Sequence, residues 1–288
     1  MPTTLQDAVD FLQQGGKNGV EIVAGATDWF PARGERPLCQ PILDITKIAE
    51  LQGIERTLQG WRFGAAVTWS DILTADLPNC FAGLKAAARE VGSVQIQNVA
   101  TLAGNLCNAS PAADGVPPLL TLDAAVEIAS LSGVRSVPLT EFVLGVRQTA
   151  LQPGEMVTAV TVPVLPVHVS EGVGCFIKIG ARKYLVISIT MVAALVAVAD
   201  GKIAEARVAV GACSKVAQRV PMLEAALRGC TAAQAEAAIC PAHLEALSPI
   251  SDMRGSASYR ADAAFELCRR AVASALTGAA QNGGLDHG

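Results

Sequence analysis

The stretch 98-NVATLAGNLCNASPAAD-114 decides how the chain is read. No residue between Glu90 and Asp114 carries a charge, yet glycine, asparagine, serine and proline recur through the segment. A surface loop would carry Lys and Glu. A core strand would not carry clusters of glycine and asparagine. The composition therefore implies a backbone that runs close to something polar other than water. Small side chains let successive backbone N–H groups approach an anion and form a nest for it.

A second segment, 22-IVAGATDWF-30, has the same character: a short apolar run, then small residues, then Thr27 and Asp28. Two such segments converging could hold a pyrophosphate without a lysine. Each alone also reads as a plain turn. Neither fits GxxxxGK[ST], and no GxGxxG follows a strand into a helix, so the P-loop and Rossmann readings both fail.

The bulk properties narrow the field. The 288 residues suggest two domains or one large one, and a composition 51% hydrophobic and 17% charged permits a substantial core. The net charge of −4 comes with no basic stripe, which argues against nucleic acid as a partner. The N-terminus has no basic region followed by an apolar run, so no secretory signal is expected. The most apolar window, 184-YLVISITMVAALVAVA-199, is too short to span a bilayer as a helix, is β-branched, and ends at the hairpin signal Asp200-Gly201. It reads as a buried strand turning into 205–213, and no transmembrane segment is expected. No two of the eight cysteines are three apart, so no zinc or iron–sulfur site is expected in this chain. They read as single buried thiols of a cytoplasmic protein.

Along the chain, Leu5, Ala8, Val9, Phe11 and Leu12 share a helical face ended by Gly15-Gly16. Strand–loop–strand follows over 20–25 and 41–46. Residues 59–72 read as a strand turning helical, 83–92 as a helix closed by Gly92, and 125–139 as a hairpin at Ser132-Gly133. Residues 152–168 give a turn, a strand and an exit at Pro163 and Pro166, taken as the domain boundary. Strands are expected at 174–179, 186–198 and 205–213, and helices at 221–229, 231–238 and 260–276.

The order AGxTD, then QIxNxATLxGNLCNASPAAD, resembles the FAD-carrying medium subunit of the molybdenum hydroxylases, the xanthine dehydrogenase and carbon monoxide dehydrogenase type. Two further segments, 175-CFIKIGARKYLVISITMVAALV-196 and 249-PISDMRGSASYRADAAFELCRRAV-272, are similar to that family's C-terminal domain. The resemblance runs from about residue 5 to 275 and implies an α+β chain. A two-subdomain, non-Rossmann FAD-binding fold of the PCMH/VAO type would occupy 1–167, with subdomains of about 1–57 and 58–167. A smaller α+β domain would cover 168–276, and a flexible tail 277–288.

The resemblance also assigns residues, and FAD would lie between the two subdomains. Ile22, Val23, Ala24, Gly25, Ala26, Thr27, Asp28 and Trp29 would wrap its pyrophosphate with backbone N–H groups. A loop of Thr101, Leu102, Ala103, Gly104 and Asn105 would wrap it from the other side. Asp114 and Ser110 would contact the ribityl or pyrophosphate region, Val157 would touch the cofactor by packing or backbone, and Lys178 would reach toward the isoalloxazine. A cation there would stabilise negative charge on the reduced flavin. Plainer readings stay open: Asp114 as a turn or N-cap residue, Ser110 as a turn former, Lys178 as a surface lysine whose stem packs. Arg254 and Arg260 read as structural. The sequence departs from the family's pattern in several places. Ala26 and Ala103 replace common glycines and are therefore expected to avoid positive φ. Gln97 replaces a common arginine, Val91 cannot stack where some relatives have an aromatic residue, and Val186 stands where some have aspartate, while a second branch has an Ile-Ser pair just after, as Ile187-Ser188 does here.

The implied function is electron transfer by a flavoprotein subunit. FAD would collect electrons from [2Fe-2S] clusters in an iron–sulfur small subunit. It would deliver them to NAD+, O2 or another acceptor, while a molybdopterin large subunit oxidises the substrate; a dimer of heterotrimers would result. No catalytic side chain and no metal ligand is expected here. A stand-alone flavin oxidoreductase and a flavin-free scaffold are the competing readings.

Overall fold

The computed structural model describes residues 1–15, 19–182 and 187–283. The chain divides into two compact units that interleave in sequence. The first comprises Met1–Ala75, Val91–Ala109 and Asp123–Val164; the second comprises Asp76–Glu90, Ser110–Leu122 and Leu165–Gly288.

The first unit opens with the helix Leu5–Gln14, whose N-cap Thr4 accepts from the Asp7 N–H and whose inner face buries Ala8, Val9 and Leu12. Strands β1 (Glu21–Val23) and β2 (Ile42–Asp44) pair in parallel, Ile22 opposite Leu43. Parallel pairing needs a crossover. The chain supplies a short helix, Trp29–Arg33, within a connection expected only to be a loop. The rest of the unit is an antiparallel five-stranded sheet of β3 (Ile54–Thr57), β4 (Gly60–Gly64), β5 (Ala125–Ser130), β6 (Gly133–Pro138) and β9 (Met156–Pro163), in the order β3-β4-β9-β5-β6. Between β6 and β9 lies a small hairpin, β7 (Val143–Gly145) and β8 (Gln148–Thr149). Phe63, Val126, Ile128 and Val160 are wholly buried in this unit. The β5–β6 hairpin turns one residue earlier than Ser132-Gly133: Ser130 pairs with Gly133 across Leu131 and Ser132, and Gly133, at φ 116°, opens β6.

The second unit is an antiparallel sheet, β10 (Val173–Ile179), β11 (Thr190–Ala199), β12 (Lys202–Gly211) and β13 (Gln218–Arg219), in that order. Strand alternation sends successive β11 side chains to opposite faces. Val192, Ala194 and Val196 join a core with Leu267, Cys268, Ala271 and Val272 of the long helix Ala257–Gly283. Met191 and Ala193 pack instead with Phe176 and with Ala87 of the helix Ala82–Glu90. Both faces are covered, so β11 reads as an unbroken apolar run. It ends as expected in a two-residue turn, with Asp200 at φ 51° and Gly201 at φ 71°. Gly174 permits a close crossing: a Cβ there would lie 2.6 Å from the Cys80 carbonyl oxygen and 2.7 Å from the Gly83 nitrogen.

Two expectations are corrected. The C-terminal helix continues through 277–283, where a flexible tail is expected. Cys39 and Cys107 are exposed, although burial is expected for every thiol. Cys240 and His243 meet in a turn where the Cys240 backbone N–H donates to His243 Nδ1 at 3.3 Å. Arg254 and Arg260 are structural as expected: both pair with Asp252, at 3.1 and 2.7 Å, and Arg260 also donates to the Ile189 and Ala212 carbonyls. The positions of Gly16, Tyr184, Val186 and residues 284–288 lie outside the described residues.

Candidate functional site

The two sequence motifs meet in the first unit. Residues 22–29 line a cavity of about 350 Å³ together with Thr101, Gly104 and Asn105. That volume falls at the lower end of ligand sites, roughly 300–1,000 Å³. Two backbone hydrogen bonds fix residues 100–102 against 67–69, and one close backbone approach brings the first segment onto the second. Trp69 N–H donates to the Ala100 carbonyl and Leu102 N–H to the Val67 carbonyl, each at 3.1 Å. Gly25 lies directly on the Val99–Ala100 backbone: a Cβ there would sit 1.8 Å from the Val99 carbonyl oxygen. Glycine at 25 is thus required by a crossing of two chains, and the crossing sets loop 24–28 beside residues 100–105.

Loop 24–28 leaves its donors free. Among the described residues, the backbone N–H groups of Ala24, Gly25, Ala26, Thr27 and Asp28 donate no hydrogen bond. Ala24 through Thr27 are half-buried. Five successive unpaired donors around a cavity are costly unless a ligand or solvent accepts from them. Ala26 is left-handed, φ 54°, against the expectation that alanine avoids this region. The alternation of hand along a short segment is what turns consecutive N–H groups toward one point. The strain, about 1–2 kcal/mol for a non-glycine residue, falls at the centre of the cradle.

The second segment is not the loop expected from its glycine and asparagine. Thr101 is an N-cap, its Oγ1 accepting from Gly104 N–H at 3.0 Å, and Leu102–Asn108 is helical. Leu102, Ala103 and Leu106 form its buried face. Ala103 is therefore right-handed, as expected. Leu102 and Ala103 face the core and do not line the cavity, whereas the exposed Gly104 does. The N–H groups of Leu102, Gly104 and Asn105 are used within the protein, by the Val67 carbonyl, the Thr101 hydroxyl and the Thr101 carbonyl. The unpaired donors thus come from loop 24–28, and this helix supplies a small-residue wall opposite.

The cavity has lining residues that motif reading did not single out. Trp69, 1% exposed, stands with Ile96, Cys107 and Asn108 around it. Trp69 follows the capping box of Thr68 and Asp71, a signal visible in 68-TWSD-71 but silent about what the indole faces. Val91 lines the cavity and offers no ring. Gln97, expected to remove a cation, is buried and donates from Nε2 to the Val91 carbonyl at 3.0 Å, tying the cavity wall. Val157 lies on β9, 6% exposed and opposite Ile128, and is not among the residues that line the cavity.

The remaining candidates lie in the second unit. Lys178 on β10 donates from Nζ to Asp114 Oδ2 at 2.7 Å and to the Glu90 carbonyl at 3.0 Å. Ser188 Oγ donates to the other Asp114 oxygen at 2.8 Å. The two charged side chains are 5% and 10% exposed, so Lys178 is no surface lysine. Burial pushes the Asp114 carboxyl above the usual carboxylate range; the Lys178 ammonium and the hydrogen bonds from Lys178 and Ser188 oppose that rise. Ser188 is the serine of the Ile187-Ser188 pair that the resemblance notes after Val186, and its hydroxyl meets the Asp114 carboxylate. Ser110 is a turn former, its Oγ accepting from Ala112 N–H at 3.2 Å.

Comparison with known proteins identifies the family. Residues 1–165 match the family described as the FAD binding domain in molybdopterin dehydrogenase, and residues 176–275 match the CO dehydrogenase flavoprotein C-terminal domain. The nicotine 6-hydroxylase medium subunit of Paenarthrobacter nicotinovorans is 32% identical over 279 residues, covering 95% of each chain. The xanthine dehydrogenase FAD-binding subunit of Escherichia coli O157:H7 is 32% identical over 273 residues, covering 92% of this chain and 88% of that one. Among solved structures, quinoline 2-oxidoreductase from Pseudomonas putida 86 superposes with a TM-score of 0.83 at 28% identity over 96% of each chain. With both its domains matched in order, the chain belongs to the FAD-binding medium subunits of the molybdenum hydroxylases, a family of oxidoreductase components.

Proposed function

We propose that this chain holds FAD by its diphosphate on loop 24–28 and serves as the electron-transfer subunit of a molybdenum hydroxylase. The observation that carries the reading is the run of five unpaired backbone N–H groups along the cavity. The residues suit a diphosphate. Backbone dipoles can solvate it without a counter-ion, and side chains as small as Ala24, Gly25 and Gly104 leave it room. When bound, the flavin supplies the redox chemistry, and the protein supplies binding, orientation and electrostatics. Loop 24–28 would bind the diphosphate, Gly104 and Asn105 would form the opposite wall, and Trp69 would exclude water from the floor. The family resemblance assigns Asp114 and Lys178 to the flavin; here they form with Ser188 a buried, charge-compensated group.

Electrons would come from [2Fe-2S] clusters of a separate iron–sulfur small subunit and pass to NAD+, O2 or another acceptor. Substrate oxidation would belong to a molybdopterin large subunit, with two copies of each chain in the complex. No helix among the described residues is long and apolar enough to cross a membrane. Copurification tests the reading. Tagged chain expressed with its two neighbouring reading frames should bring down molybdenum, iron and FAD together. Recovery of FAD and a reducible small substrate acceptor, without molybdenum or iron, would favour a stand-alone flavin enzyme instead.

A further inference from the structure

Three side chains close a clasp at the ends of the cradle. Glu21 begins β1, and Trp29 and Arg33 are the first and last residues of the following short helix. The Trp29 indole Nε1–H donates to Glu21 Oε2 at 2.5 Å. Arg33 Nη1 lies 3.3 Å from the same oxygen and 3.4 Å from Oε1. The Arg33 guanidinium carbon also stands 5.0 Å from the centre of the Trp29 ring, within cation–π range. Carboxylate, indole and guanidinium therefore hold one another in a closed triangle. Arg33 is anchored further by donating to the Arg36 and Pro37 carbonyls.

The clasp spans a segment whose backbone N–H groups make no hydrogen bonds to shape it, its ties to the following helix being the Ala26 and Asp28 carbonyls that accept from Phe30 and Ala32 N–H. Loop 24–28 lies between Glu21 and Trp29 in sequence, and its backbone N–H groups are unpaired among the described residues. A left-handed alanine sits at its centre. A strained loop without internal donors keeps its shape only if its ends are fixed. One end is fixed by β1 in the sheet with β2, and the other by the helix that begins at Trp29. Glu21 joins the two ends by side chains. The side chains of Glu21 and Arg33 are 29% and 13% exposed, so the pair is shielded more than a surface pair is.

We propose that Glu21 is a positioning residue for the diphosphate cradle, acting through Trp29 and Arg33. The proposal rests on the reading of this cavity as the FAD site. Glu21 touches no ligand in this account; it preorganises loop 24–28 so that the five donors need no rearrangement on binding.

The test uses the full-length chain, stripped of flavin and titrated with FAD. Glu21→Leu deletes both bonds and should weaken FAD binding about tenfold or more, as for a lost hydrogen bond to a charged group. Glu21→Gln keeps a carbonyl acceptor for the indole and should stay within about threefold of the parent chain. Trp29→Phe keeps a ring and removes the donor, so it tests the same bond should the leucine variant fail to fold; it should behave like that variant. Urea midpoints measured alongside separate positioning from stability. Leucine and glutamine variants equally weak, with midpoints lowered alike, would make the clasp a stability element only and overturn the proposal. FAD binding unchanged in Glu21→Leu and Trp29→Phe would overturn it while leaving the FAD site standing. Failure of the parent chain itself to bind FAD would overturn both.

Discussion

Lys178→Met keeps the length and apolar stem of the side chain and removes the ammonium that lies 2.7 Å from Asp114. The pair is buried, 5% and 10% exposed, so the partner left behind cannot be solvated. Breaking a buried pair from one side costs roughly 3–5 kcal/mol. With a urea slope of about 3 kcal/mol per molar, the midpoint should fall by about 1–1.7 M. Asp114→Leu should cost a similar amount, because the ammonium is then stranded. The double variant should cost only about 1–2 kcal/mol, because what remains is the Ser188 hydroxyl and the Glu90 carbonyl without their partners. The two single losses should therefore exceed the double loss by several kcal/mol. A pH series gives an independent arm. Asp114 without Lys178 keeps the upward push of burial and loses the opposing charge. A carboxyl whose folded pKa exceeds its unfolded value of about 3.9 is stabilising in protonated form and loses that contribution as pH rises through the folded value. The Lys178→Met deficit should therefore shrink as pH falls from 8 toward 5. Single-variant losses that add to within about 0.5 kcal/mol would refute the pair. A second consequence concerns the flavin. Because Asp114 compensates the ammonium, the pair carries no net charge, and the double variant should move the flavin midpoint potential by less than about 30 mV, short of what an unpaired cation would give.

Ala26→Gly should be neutral or stabilising by up to about 1 kcal/mol, because it relieves a left-handed alanine, whereas Ala103→Gly should cost about 1 kcal/mol or more as a buried helical position; urea midpoints of the two variants compare them directly. Gly25→Asp should prevent folding of the first unit, by about 3 kcal/mol or more, since its Cβ would meet the Val99 and Ala100 backbone; soluble, folded protein by circular dichroism would contradict the crossing. Asp252 is held down to about 2, first by the Arg254 backbone N–H and then by Arg260. Its stabilisation is present above the unfolded value and is lost as pH falls toward 2, so Asp252→Asn should flatten the acid limb of the stability profile below about pH 4.

What the sequence made legible follows from where the physics is local. Strand β11 is plain because both of its faces are buried, and Asp200-Gly201 fits a two-residue hairpin. Motif order located the cavity, since residues 22–29 all line it. The left hand of Ala26 was hidden because alanine disfavours it, and only the loop's fixed ends hold it there. The helix Leu102–Asn108 was hidden because Gly104, Asn105 and Asn108 weaken its propensity, while the Thr101 cap and the burial of Leu102 and Leu106 decide it. The placing of 76–90 and 110–122 with the C-terminal half had no local signal either. It depends on Gly174 admitting the Cys80–Gly83 backbone and on Asp114 finding Lys178. Ser188 and Glu21 are single polar residues whose meaning appears only beside their partners.

On the proposed function, the cavity between loop 24–28 and the helix Leu102–Asn108 would hold FAD by its diphosphate. Gly104→Asp tests it most directly, because the exposed Gly104 lines the cavity and only the Thr101 hydroxyl, at 2.9 Å, crowds a Cβ there. The measurement is flavin per chain after purification, with Gly104→Ala as the steric control and circular dichroism as the folding control. Stoichiometric FAD in the parent chain and its loss from a folded Gly104→Asp variant is the predicted result, since a carboxylate would then face the diphosphate. Stoichiometric FAD retained by folded Gly104→Asp would contradict the assignment.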